Sequence, residues 1–288
     1  MLCNCCPFEC HVDRSNQLGI CKAPGDFKIA KSMAHFWEEP CISGTRGSGT
    51  IFFSHCNASC IFCQNYKISH KGKGHLYTQK QFFTLCQNLV EKHNVHNINF
   101  VSPTHYSLQL IEILPQLKKK LRIPIVWNSN AYEKVETLNQ LNGTIDVFLP
   151  DLKYFHDSTA QRFSRVPDYF RHASQAIITM KNITGKTLFD HEGLMQRGLL
   201  IRHLVLPGHV NESKNIIRWI AENLGNDTYV SLMAQYYPTY KASESPPMNR
   251  TLTPAEYQEI EDFFFELGFY NGFVQSLDSH SSCYTPEF

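Results

Sequence analysis

Three cysteines, Cys56, Cys60 and Cys63, stand in a Cys-x3-Cys-x2-Cys array within GSGTIFFSHCNASCIFCQNYKIS, residues Gly47 to Ser69. They follow the apolar run Ile51 to Phe53, which reads as a strand, so the array lies on the loop leaving that strand. Thiolates held this close on one loop point to a metal, and the spacing narrows the choice. Three cysteines can take three corners of a cubane [4Fe-4S] cluster and leave the fourth iron without a ligand from this loop. A structural zinc site prefers four protein ligands and would have to borrow one, with His55 and His70 as the nearby candidates. Disulfides suit an odd set of three poorly.

The rest of the chain repeats the strand-loop-helix pattern. After the first strand, Thr78 can cap a helix whose apolar positions Phe82, Leu85, Cys86 and Leu89 share one face. Ile98 to Val101 precedes a helix around Leu108 to Leu121, Ile123 to Trp127 one around Glu133 to Leu141, and Val147 to Leu149 helical residues as far as Met180. Leu199 to Leu206 and Tyr229 to Met233 are the fifth and sixth strands, with helices near Ser213 to Leu224 and Pro254 to Leu267. Alternating β and α units of this kind imply a parallel sheet with its site at the carboxyl ends of the strands. Six units are two short of a closed eight-stranded barrel.

Cys56, Cys60 and Cys63, with the aromatic Phe62 before the last, resemble the CxxxCxΦC signature of the radical S-adenosylmethionine (SAM) superfamily. The words EEPCISGTRGSGTIFF, NINFVSPTHY, DLKY, IRHLVLPG and LMAQYYP are similar to a branch related to the activating enzymes of pyruvate formate-lyase, over roughly Cys3 to Gly268. The resemblance implies an α/β partial (β/α)6 barrel, open on one side. It also implies a [4Fe-4S] cluster on the three cysteines, with the SAM amino and carboxyl groups on the fourth iron. One electron then splits SAM into methionine and a 5'-deoxyadenosyl radical that abstracts hydrogen, with flavodoxin or ferredoxin as electron donor. A protein substrate is implied too, such as the glycine of a glycyl-radical enzyme. Two alternatives remain at this stage: a radical SAM enzyme that modifies a small molecule, lipid or peptide, and a non-catalytic zinc-binding module.

The strand ends supply the expected SAM contacts. Ser102 and Thr104 of SPTHY occupy the place where the activating enzymes carry a Gly-Gly-Glu-Pro motif for the SAM amino group. No carboxylate stands there, so Glu38 and Glu39 of HFWEEP are set against a reading as solvated surface groups. Asn128 and Asn130 are expected near the ribose, and Gln235 near the adenine. Asp151, in an Asp-x-Lys with Lys153 similar to that of the activating enzymes, is expected at SAM or a nearby cation, against an ion pair with Arg202. Arg202 is expected at the SAM carboxylate or ribose, its guanidinium fork matching a carboxylate. Strand alternation sends only one of Arg202 and His203 inward. None of the 14 histidines is assigned a proton-transfer role.

Composition sets the remaining bounds. The 288 residues divide into a Cys-rich segment over 1–46, a barrel over 47–270 and a tail over 271–288, of which Leu277 to Phe288 reads as loose. Cys3, Cys6, Cys10 and Cys21 form a possible second site for zinc or an auxiliary iron-sulfur cluster, with the choice between Cys5 and Cys6 open. Cys41, Cys86 and Cys283 read as ordinary small hydrophobes. The balance of 27 Lys and Arg against 26 Asp and Glu gives +1, with no basic block to follow a nucleic acid backbone. No apolar run reaches the roughly 18 residues of a membrane span, and no signal peptide is evident, so a cytoplasmic protein is expected.

Overall fold

The computed structural model describes residues 2–279 and 286–288. Ten strands form one sheet: β1 (Phe27–His35), β2 (Ser48–Phe53), β3 (His75–Tyr77), β4 (Ile98–Val101), β5 (Ile125–Ser129), β6 (Val147–Pro150), β7 (Leu188–Phe189), β8 (Met195–Leu204), β9 (Tyr229–Met233) and β10 (Gly272–Val274). Their order is β10-β9-β8-β6-β5-β4-β2-β1-β3, with β7 added as a hairpin on β8. From β2 to β10 the pairs along this path are parallel, while β1 runs antiparallel to both β2 and β3. The path does not close on itself. It is the open, parallel-dominated α/β barrel that the sequence implies.

Among the described residues, nine helices cross between or flank these strands: α1 (Pro40–Ser43), α2 (Tyr66–Ser69), α3 (Gln79–His93), α4 (Ser107–Leu121), α5 (Val135–Asn139), α6 (Asp157–Ser164), α7 (Tyr169–Thr184), α8 (Val210–Leu224) and α9 (Pro254–Glu266). The Thr78 hydroxyl accepts from Gln81 N at 3.3 Å while the Gln81 side chain accepts from Thr78 N at 2.9 Å. This capping box satisfies two backbone donors that the first turn of α3 would otherwise leave open. Thr253 and Glu256 do the same for α9, where Pro254 costs no hydrogen bond at the first helical position. Every residue of β2 is buried, as a strand between layers requires.

Two boundaries move. The third barrel strand is Ile125–Ser129 rather than Ile123 to Trp127, because Arg122 ends α4 in a left-handed conformation and Pro124 follows in the connection. Residues between Asp157 and Thr184 make two helices, α6 and α7, with Arg165 ending the first in the left-handed region. Phe27 of β1 stacks on Phe82 of α3 with centroids 4.4 Å apart, beside Phe53, Phe100 and Tyr106, so β1 belongs to the central core. At the other end β10, ahead of the Leu277 to Phe288 stretch expected to be loose, continues the parallel sheet. Cys283 lies outside the described residues.

Candidate active site

The three array cysteines lie immediately beyond the carboxyl end of β2, in the wall of a cavity of about 520 Å³ inside the open barrel. All three are free thiols. Ser164, the last residue of α6, donates its hydroxyl to Cys60 Sγ at 2.8 Å, and the Ser69 hydroxyl lies 3.0 Å from Cys63 Sγ. Asn130 Nδ2 reaches Cys56 Sγ at 3.6 Å. Phe62 turns inward and packs its ring edge-on against Tyr236 at 5.8 Å. Burial pushes Cys56 up to about 12 and Cys63 up to about 11, with the neighbouring Cys60 adding to both, so these sulfurs need a bound cation to become thiolates.

Facing the cysteines across the cavity is a charged network. Asp151, just past β6, accepts from Arg202 Nε and from Lys153 Nζ, each at 2.7 Å. Arg202 sends Nη1 to Glu38 at 3.1 Å and Nη2 to Asn128 Oδ1 at 2.6 Å. The adjacent Arg202 and Lys153 cations hold the Asp151 carboxyl below its usual range against the cost of burial. The ion pair with Arg202 is therefore present, and both residues meet the cavity already paired. Of the two neighbours on β8, Arg202 faces the lumen while His203 turns out to Leu152 O and the Ser213 hydroxyl, both at 2.8 Å.

The other expected contacts divide. Ser102, Asn128, Asn130 and Gln235 line the cavity, and Ser102 does so in the left-handed region at φ 56°. Thr104 turns away and donates to Glu133 Oε1 at 2.9 Å. Glu133 was not expected at the site. It is 2% exposed and also accepts from Trp127 Nε1 and the Ser129 hydroxyl, both at 2.8 Å, which braces the loops after β4 and β5 against each other. Glu38 and Glu39 are not solvated: they line the cavity, and Glu38 accepts from Asn99, Asn128 and Arg202. A Glu-Glu pair before a proline carries no periodicity, so the sequence could not place it.

At the amino end, Cys3, Cys5 and Cys21 gather around Arg14, whose Nη2 lies 3.0, 3.8 and 3.7 Å from their sulfurs. Cys6 packs in the same cluster, and Cys10 sits at its edge with Sγ accepting from Ile20 N at 3.4 Å. Among the described residues, no three His, Cys, Asp or Glu side chains converge closely enough to hold a single metal ion. A cubane makes no such demand, since each of its cysteines binds a different iron.

The Radical SAM superfamily model matches residues 50–220, more than half of the chain. The chain belongs to the radical SAM superfamily. An uncharacterized protein of Methanocaldococcus jannaschii is 35% identical over 272 residues, covering 90% of this chain and 72% of that one. Among solved structures, Streptococcus suis SuiB bound to the precursor peptide SuiA aligns with a TM-score of 0.52 and 13% identity over 77% of this chain. The alignment takes in 47% of SuiB, so this chain spans about half of that protein's length. Methylornithine synthase (PylB) aligns with a TM-score of 0.52 and 14% identity over 79% of this chain and 70% of its own. Native anSMEcpe with bound AdoMet gives 0.51 and 14% over 77% and 61%. At such identities these three share the fold.

Membership makes this chain a radical SAM enzyme, and it implies a [4Fe-4S] cluster and SAM. The residues present fit that pair: three unbridged cysteines on one loop, two with a hydroxyl at the sulfur, open into a cavity that carries both carboxylates and cations. Among the described residues no helix is long and apolar enough to cross a membrane.

Proposed function

We propose that this radical SAM enzyme binds its cluster through Cys56, Cys60 and Cys63 and abstracts hydrogen from a substrate that enters the open side of the barrel. What the cluster and SAM supply when bound is one-electron cleavage to a hydrogen-abstracting 5'-deoxyadenosyl radical. The chain's own residues do the rest. Ser164 and Ser69 stabilise thiolate sulfurs with their hydroxyls. Ser102, Asn128, Asn130 and Gln235 offer neutral donors and acceptors to SAM from three strand ends. Asp151, Lys153 and Arg202 keep one another fixed, so that polar groups face the cofactor without rearranging.

The observation that carries this reading is that the three cysteines and the Asp151–Arg202 pair share one cavity at the carboxyl ends of parallel strands. For the substrate, a protein, as in the activase-like reading, or a peptide, as in the alternative, is favoured over a small molecule or lipid: the barrel path is open, and the exposed aromatics Phe36 and Trp37 stand at the cavity wall. The precursor peptide in the SuiB structure supports the same class. Replacing Cys60 with Ala should remove the visible iron-sulfur absorbance and abolish 5'-deoxyadenosine formation under dithionite, because one of three ligands is gone. Cleavage that persists in Cys60→Ala would refute the assignment.

A further inference from the structure

Glu38 and Glu39 enter the barrel from the end opposite the cysteines. They lie on the connection from β1 to β2, and the pairing of His35 with Ser48 puts that connection at the amino end of the parallel strands. The cysteine loop leaves β2 at its other end, after Phe53. Depth can be read on β5: Asn130 reaches Cys56, whereas Asn128, two residues earlier, reaches Glu38. At a rise of about 3.3 Å per residue the glutamate level is roughly 7 Å further into the lumen than the sulfur level. A molecule seated beneath the cofactor position would meet these carboxylates.

The charges there do not balance. The lumen network holds three carboxylates, Glu38, Glu39 and Asp151, against two cations, Arg202 and Lys153, a surplus of one negative charge. The unmet hydrogen-bonding capacity lies on Glu39. Asp151 spends its two oxygens on Lys153 and Arg202, and Glu38 spends its own on Asn99, Asn128 and Arg202. Glu39 is 9% exposed, and its Oε2 is buried with no hydrogen-bond partner among the described residues. A buried carboxylate oxygen left this way is less stable than one that is paired. Burial pushes the Glu39 carboxyl up, with Arg202 opposing the shift and Glu38 alongside adding to it. Phe52, Leu204, Met233 and Phe273 are among the apolar side chains that line the same cavity.

Resting on the radical SAM reading above, we propose that the lumen selects a substrate bearing a protonated amine or guanidinium on an apolar stem, the cation seating on Glu39 Oε2 and the stem lying along Phe52, Leu204, Met233 and Phe273. A lysine-like or arginine-like side chain has this chemistry. The bound cation neutralises the surplus charge and completes the Glu39 hydrogen bonding in one contact.

The test compares two probes of equal length, Nα-acetyl-L-lysine amide and Nα-acetyl-L-norleucine amide, by anaerobic calorimetry on the full reconstituted chain saturated with SAM. The lysine probe is expected to bind at least about ten-fold more tightly. That preference should fall below about three-fold in Glu39→Gln and persist in Glu39→Asp, which keeps the charge. A lysine probe that binds no better than the norleucine probe to the wild-type chain overturns the proposal, whether or not the variants fold. So does a preference untouched by Glu39→Gln, or a lysine probe displaced by SAM, which would give the carboxylate to the cofactor. Adding dithionite to the same sample after the titration and scoring 5'-deoxyadenosine separates the two readings: cleavage without probe discrimination fails this inference alone, and discrimination without cleavage fails the proposed function.

Discussion

The hydroxyl of Ser164 meets the Cys60 sulfur at 2.8 Å and is itself held by the Tyr154 hydroxyl at 2.6 Å. A hydrogen bond to a cluster thiolate stabilises the added electron, so it raises the reduction potential. Ser164→Ala should therefore move the cluster potential to a more negative value at unchanged iron content, read by redox titration followed with electron paramagnetic resonance. An unmoved potential would mean that Cys60 does not carry iron. At this scale the sequence is uneven. The cysteine array announces itself by spacing, and alternation admits only one of Arg202 and His203 to the lumen, the resemblance pointing to Arg202. Ser164, Ser69 and Glu133 are invisible, because each owes its role to a partner that the fold brings near. Thr104 shows the converse: it sits at the right strand end, yet its hydroxyl is drawn off by Glu133.

Elements are held around the site by their ends. Glu256 caps α9 through Thr253 N at 2.9 Å and also accepts from Gly208 N at 2.7 Å and from Arg250 at 2.7 and 2.8 Å. One carboxylate thus ties the start of α9 to the turn after β8 and to the end of the long loop over residues 239–250. Arg250 holds it well below the usual 4.5, at about 2. A depressed folded-state value means that the contribution is present above about pH 4.5 and lost as pH falls toward about 2. Glu256→Gln should cost on the order of 1 kcal/mol at neutral pH, the scale of a helix cap with a solvent-open ion pair, and should flatten the acid limb of stability in that window. Urea midpoints for both proteins between pH 7 and 3 would check this; parallel curves would contradict it. The helices around this frame were legible because α3 and α9 carry their capping boxes and apolar stripes in the sequence. The ends of β5 and the break between α6 and α7 were not, since Arg122 and Arg165 adopt left-handed conformations that their residue type does not signal.

For the molecule as a whole, repeated β/α units fix an open barrel, and the barrel fixes which strand ends share a cavity. Segments outside the repeat could not be read this way. The β1 strand joins the core through Phe27, and the 38–40 stretch lines the lumen from below, both by tertiary contacts that no local pattern encodes. At the far end, Phe288 packs edge-on against Phe52 of the cavity wall, 5.3 Å between centroids. The central claim is that this frame exists to hold a cluster and SAM together. It is tested most directly by anaerobic reconstitution with iron and sulfide, then reduction with SAM present, scoring 5'-deoxyadenosine and counting iron, sulfide and zinc on one sample. The account predicts 5'-deoxyadenosine with at least about four irons per chain, and about eight if the N-terminal cysteines hold a second cluster. A chain that takes up zinc in place of iron and leaves SAM intact would contradict it.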